Sequence, residues 1–202
     1  MSNRKICTHC QFPLKVCICA SIKPIFNKTR LFILQHPSEV NVAKNTGRLI
    51  LLCSNNAEIT VGETENDFED AKSLLLDQKD ETVLIYPESH STDISELSYG
   101  ERIKIKNIIL VDSTWKKAHK ILQLNPWLTQ FATINLNSAE PTQYTIRKAN
   151  KASSLSTIEA AAYCIHTLEG IDTSPLTDCL NAMVKGQLSN MPVDVKQRYD
   201  NH

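Results

Sequence analysis

Short apolar runs punctuate the chain: LFIL (31–34), EITV (58–61), TVLIY (82–86) and NIILV (107–111). Each is rich in β-branched or aromatic residues and is bounded by polar or turn-forming ones, the pattern of a buried strand. Between them, VAKNTGRLILLC (42–53) and NDFEDAKSLLLD (66–77) space their apolar residues as amphipathic helices do. Two further helices close the sequence. SLSTIEAAAYCIHTLEG (154–170) ends on Gly170, and SPLTDCLNAMVKGQLS (174–189) opens on a Ser cap followed by Pro175. Strands alternating with helices predict an α/β fold, a parallel sheet covered by helices.

In such a sheet, ligands bind beyond the carboxyl ends of the strands. The loops there are QHPSEVNVAKNTGR after the first run, PESHS after the third and DSTWKKAHK after the fourth, all rich in hydrogen-bonding and charged groups. None contains G-x-G-x-x-G or G-x-x-x-x-G-K-[ST], and the whole chain has only five glycines, which argues against a glycine-rich dinucleotide site or a P-loop.

Composition adds little until charge is located. Hydrophobic residues at 42% and charged residues at 22% are ordinary for a globular chain of 202 residues. No run reaches the roughly 18 apolar residues that span a bilayer, and MSNRKICTHC lacks a secretory apolar core, so the expected compartment is the cytoplasm. The formal net charge of zero conceals segregation. Residues 1–38 hold six Lys or Arg and no Asp or Glu, residues 54–100 hold twelve acidic and two basic, and residues 101–151 hold nine basic and three acidic. Such blocks suit a protein with one face turned to a polyanion, although solvated faces produce them too.

CTHCQFPLKVCIC (7–19) packs four cysteines into thirteen residues. In a reducing compartment that density favours metal over disulfide, and Cys7, Cys10, Cys17 and Cys19 form a candidate four-thiolate zinc site. A redox C-x-x-C pair would not need the second pair of cysteines. A zinc-binding lobe over 1–29 and a main domain over 30–202 are the expected division. Cys53, Cys164 and Cys179 lie in apolar, helical surroundings and read as core residues.

The segment Asp112-Ser113-Thr114-Trp115, after a strand and opening a helix, resembles the D-x-T-W signature of the DTW-domain family. HPSEVNVAKNTGRL (36–49), LIYPES (84–89), NPWL (125–128), YTIRKANKASSLSTIEA (144–160) and the cysteine cluster extend that resemblance over most of the chain. It implies a fold like the knotted SPOUT methyltransferases. It also implies transfer of the 3-amino-3-carboxypropyl group of S-adenosylmethionine to N3 of a tRNA uridine, expected in the variable loop, with tRNA as the partner and neither DNA nor membrane. The rival readings are an RNA methyltransferase using the same donor and a non-catalytic zinc RNA-binding module.

Attack by uridine N3 needs the imide proton removed, and Asp112, at a strand end before a helix N-terminus, is the expected base; its alternative is to cap that helix. Donor contacts are expected from Pro87, Ser89, Asp112, Ser113, Thr114, Trp115, Leu155, Ser156, Thr157 and Glu159. Within these, Trp115 either stacks on a ligand or packs in the core. The start of the helix near Ser156 and Thr157 suits the donor's carboxylate. Glu159 suits its amine, or instead completes a capping box with Ser156. Lys116, Lys120, Arg147 and Lys148 are the expected RNA contacts, and Asn45, Thr46 and Arg48 are weaker candidates for pocket or RNA.

Overall fold

The computed structural model describes residues 5–139 and 155–191. The apolar runs form strands β1 (Arg30–Gln35), β2 (Ala57–Val61), β3 (Thr82–Ile85) and β5 (Asn107–Asp112), and β4 (Thr92–Asp93) and β6 (Ala132–Asn135) complete a sheet ordered β2-β1-β5-β3-β6-β4. Every pairing is parallel. The run at β1 and β5 is continuously apolar because both strands are interior and covered on both faces, so neither side can be polar. Only β1 and β2 are neighbours both in sequence and in the sheet; β5 enters between β1 and β3, and β6 between β3 and β4.

Alternation still sorts the side chains. Leu31, Ile33, Ile108 and Leu110 face a core shared with helices α1 (Gly47–Cys53), α5 (Thr157–Glu169) and α6 (Ser174–Ser189). Phe32, Leu34, Leu84 and Ile109 face the opposite core, covered by α2 (Glu69–Asp77) and α4 (Trp115–Leu124). Between them runs the short helix α3 (Tyr99–Arg102), which leads into β5. At about 1.5–3 kcal/mol for each fully buried large apolar side chain, these two layers dominate what holds the sheet against its helices.

The predicted helix over 42–53 begins only at Gly47, because Asn45 and Thr46 are buried in the preceding turn and Asn45 is committed to a polar contact described below. The helix over 66–77 is split: a 3-10 turn, Glu65–Phe68, starts from a Thr64–Asp67 capping box and continues into α2. Helix α6 has the predicted span, but Thr173 rather than Ser174 is its N-cap residue, and the carboxylate of Asp172 instead accepts from the Ser174 backbone and hydroxyl. Cys53, Cys164 and Cys179 are core residues as expected.

The cysteine segment folds as a knuckle of two 3-10 turns that packs on α6, with Val16 so close to Gly186 that a Cβ there would lie 3.2 Å from the Val16 Cβ. Phe12, Ile18 and Ile25 extend the α5/α6 core into this segment, and the Arg48 guanidinium of α1 stands 3.9 Å over the Phe12 ring. No helix among the described residues is long and apolar enough to cross a membrane.

Candidate active site

The carboxyl ends of β3, β5 and β6 and the amino end of α5 meet at a cleft of about 250 Å³. Pro87, Ser113, Trp115, Leu155, Ser156 and Thr157 line it, together with Tyr86, Ala118, Asn135 and Asn137. Two sequence segments more than forty residues apart, the D-x-T-W stretch and the start of α5, thus contribute adjoining walls. β5 delivers Ser113 to the same edge of the sheet at which α5 begins.

Trp115 is 45% exposed, so it is not a core residue; its ring lies 6.1 Å from that of Tyr86, tilted by 59°. The tryptophan that fills the core is Trp127, whose indole N–H donates to Asn125 Oδ1 at 3.1 Å. Burial, with the neighbouring Glu88 carboxylate, pushes the Tyr86 phenol above its ordinary range.

Asp112 sits behind the cleft wall and is buried. Its Oδ2 accepts from Gln35 Nε2 at 2.7 Å and Asn45 Nδ2 at 2.6 Å, and its Oδ1 accepts from the Thr157 hydroxyl at 2.5 Å. The carboxyl therefore ties β5 to β1, to the turn before α1 and to α5. Gly47 makes room for it, since a Cβ at that position would stand 2.7 Å from Oδ2. Asp112 does not cap α4: the N-cap residue is Thr114.

The remaining expected donor contacts fall outside the lining. Ser89 is exposed in the loop after β3, Thr114 is the exposed N-cap residue of α4, and Glu159 is closed on the Ser156 N–H at 2.8 Å and hydroxyl at 2.6 Å in the capping box its spacing predicts. Lys116 is exposed, whereas Lys120 lies 3.0 Å from Glu63, and Lys117 pairs with Glu39 at 3.5 Å and reaches the Ser38 hydroxyl. Part of the basic block is thus neutralised by its acidic counterpart. Thr46 is buried and Arg48 is directed to Phe12. Arg147 and Lys148 lie outside the described residues.

Sequence reasoning missed the wall formed by Asn135, Leu136 and Asn137, because ATIN is short and ends in polar residues. The wall is held by Asp93, also missed, whose buried carboxylate accepts from the Ser138 N–H (2.9 Å) and hydroxyl (2.5 Å) and the Ser95 N–H (2.9 Å) and hydroxyl (2.7 Å). Burial alone would raise its pKa, but these donors outweigh it and hold the carboxyl well below the usual carboxylate range. A depressed pKa contributes stability above the unfolded value of about 3.9 and loses it as pH falls further. Asp93→Asn is therefore expected to melt below the parent at neutral pH, with the gap closing as pH drops below about 4. Melting curves across pH check this; a gap independent of pH would contradict it.

At the other end of the molecule the four N-terminal thiols converge, with all sulfurs within 4.8 Å of one another, Cys7 to Cys19 at 3.5 Å and Cys10 to Cys17 at 3.6 Å. A zinc ion at about 2.3 Å from each sulfur sets tetrahedral edges of about 3.8 Å, so the residues fit that ion. The backbone N–H groups of Cys10 and His9, with the Cys19 thiol, draw the Cys7 thiol down to about 6, while Cys17 and Cys7 push Cys19 up to about 12. Thiols this close cannot all ionise without a cation between them. The His9 ring lies beside the cluster, with Nδ1 3.5 Å from Cys19 Sγ.

Fold and site together define an α/β protein with a strand-end cleft and a four-cysteine knuckle. A family model described as the DTW domain matches residues 4–188, and the chain belongs to the DTW-domain family. It is similar to proteins named "tRNA-uridine aminocarboxypropyltransferase 2" from Macaca fascicularis and Mus musculus, each 28% identical over 171 residues. Those matches cover 83% of this chain and 57% of each relative, so the chain spans little more than half their length. The Drosophila melanogaster protein of the same name is 26% identical over 202 residues, covering 96% of this chain and 79% of that one. No solved structure matches the chain.

Proposed function

We propose that this protein is a tRNA-modifying transferase that moves the 3-amino-3-carboxypropyl group of S-adenosylmethionine to N3 of a uridine in the tRNA variable loop. The observation that carries the reading is the meeting of the D-x-T-W segment and the start of α5 around one cleft, with Asp112 joined to it through Thr157. The names of the relatives support the same activity.

The cleft suits such a donor. Tyr86 and Trp115 present aromatic faces, Leu110, Ile134 and Ala160 supply apolar wall, and Ser156 and Thr157 open a helix whose first turn favours a carboxylate. In the reaction, the N3 proton is taken up with Asp112 as the ultimate base, the N3–C bond forms at the γ-carbon of the aminocarboxypropyl group, and the electron pair of that carbon's bond to sulfur returns to sulfur as methylthioadenosine leaves. The SPOUT-like knot belongs to this reading as what the family resemblance implies, and the all-parallel sheet is compatible with it. Cys7, Cys10, Cys17 and Cys19 would hold a structural zinc, since four sulfurs leave no open coordination position. Reduced thiols of this kind suit the cytoplasm.

Product analysis tests the activity: methylthioadenosine is expected as the tRNA-dependent product, and S-adenosylhomocysteine would reassign the enzyme as a methyltransferase. The tRNA surface has its own test. Affinity is expected to fall steeply with salt as condensed counterions are released. Lys116→Glu, at an exposed position on α4 beside the cleft, should weaken binding and lower the magnitude of the log–log salt slope by roughly 0.7–0.9. Filter binding across a salt series measures both; an unchanged slope would remove Lys116 from the interface.

A further inference from the structure

Resting on that transferase reading, we propose that Thr157 is a catalytic residue, a relay hydroxyl that carries the uridine proton to Asp112. Asp112 cannot meet the substrate directly. It is only 5% exposed, it does not line the cleft, and its Oδ2 is sealed by Gln35, Asn45 and the start of α1 at Gly47. Among the described residues, the partner on its Oδ1 is the Thr157 hydroxyl at 2.5 Å, and Thr157 does line the cleft.

The other hydroxyl–carboxylate pair at the wall, Ser156 on Glu159, is taken up by the capping box of α5. Tyr86 is the sole titratable side chain among the described lining residues, and burial moves its phenol in the wrong direction for a base at neutral pH. Nor does the helix need the Thr157 hydroxyl, because Ser156 and Glu159 already complete the capping box of α5. A hydroxyl at the first position of a helix, not needed for its cap and directed at a buried carboxylate, is arranged as a proton conduit.

The step balances as one concerted movement. The N3 proton passes to Thr157 Oγ1 as the Thr157 proton passes to Asp112 Oδ1. The N3 pair forms the bond to carbon, the C–S pair goes to sulfur, and the positive sulfonium and negative carboxylate both become neutral. Asp112 then returns its proton through the same hydroxyl to solvent. No free alkoxide forms.

Three proteins test this: the parent, Thr157→Val, which keeps the shape of the side chain but has no hydroxyl, and Thr157→Ser, which restores one. Single-turnover transfer from S-adenosylmethionine to tRNA is read across pH, beside donor affinity and melting temperature. Thr157→Val is expected to lose about 10²-fold or more at neutral pH, with donor affinity within a few-fold of the parent, and Thr157→Ser to recover most of the rate. The Val deficit should shrink at alkaline pH, where the uridine imide ionises unaided, a recovery that a merely structural staple between α5 and β5 would not show. Transfer by Thr157→Val within a few-fold of the parent, or a deficit equal at every pH, would overturn the relay. A parent that transfers nothing would instead defeat the transferase reading itself.

Discussion

Replacing Cys7 and Cys17 with serine is expected to abolish stoichiometric zinc and to lower the melting temperature by about 10 °C or more. Structural zinc contributes about 10–16 kcal/mol in isolated finger peptides, and a chain of this size shifts by roughly 2–4 °C per kcal/mol. Only part of that energy is at stake here, because Phe12, Ile18 and Ile25 retain their own apolar burial against the α5/α6 core. Even half of it, about 5–8 kcal/mol, produces the stated shift. The damage should reach beyond the knuckle, since Val16 packs on Gly186 and Arg48 of α1 stands over Phe12. Elemental analysis of protein purified without added metal, together with melting curves, checks both parts. Absence of zinc from the parent, or equal zinc in the double variant, would contradict the assignment.

Asp112→Asn is expected to reduce transfer by about 10² to 10⁴ at nearly unchanged stability. The side-chain oxygen of an asparagine can still accept from Gln35 Nε2 and Asn45 Nδ2, and its amide N–H can donate to Thr157 Oγ1, so every hydrogen bond of the buried cluster is replaced. What changes is direction: the Thr157 hydroxyl becomes an acceptor and the basic oxygen is gone. Rate and stability therefore separate. Alanine would not separate them, because it takes the acceptor from Asn45 Nδ2 and leaves Gln35 Nε2 only the 3.3 Å bond to Asn45 Oδ1, at a cost of about 1–3 kcal/mol for a buried group left unsatisfied. Single-turnover rates beside melting curves make the measurement, and transfer within a few-fold of the parent would place the base elsewhere.

The central layers of the fold were legible because interior parallel strands must be apolar on both faces, and NIILV and LFIL state that condition directly. Edge elements carry no such requirement. The two-residue β4 lies at the sheet edge with β6 as its neighbour, and β6, although paired with both β3 and β4, has four residues and a polar end, so nothing in their composition demands a strand. Asp112, Trp115 and the α5 start were named from the D-x-T-W resemblance and from helix-start chemistry. Gln35 was not named, and Asn45 only as a weaker pocket candidate, since their bonds to Asp112 depend on register and a turn over separations of 77 and 67 residues. Asn45 was absorbed into a predicted helix because its neighbours have helical spacing. Asp93 shows the same gap: its role depends on Ser138, 45 residues away, which only the β4–β6 pairing brings near. Charge segregation was visible in the sequence, but the pairing of Lys117 with Glu39 and Lys120 with Glu63, which trims the basic face, needed the tertiary contacts.

One measurement bears most directly on the function: mass spectrometry of the nucleosides from unmodified tRNA after incubation with the protein and S-adenosylmethionine labelled in the aminocarboxypropyl carbons. The account predicts a uridine carrying the intact labelled chain, formed in proportion to methylthioadenosine and absent without protein. A methylated nucleoside with S-adenosylhomocysteine, or tRNA that binds the protein yet returns unmodified, would contradict it.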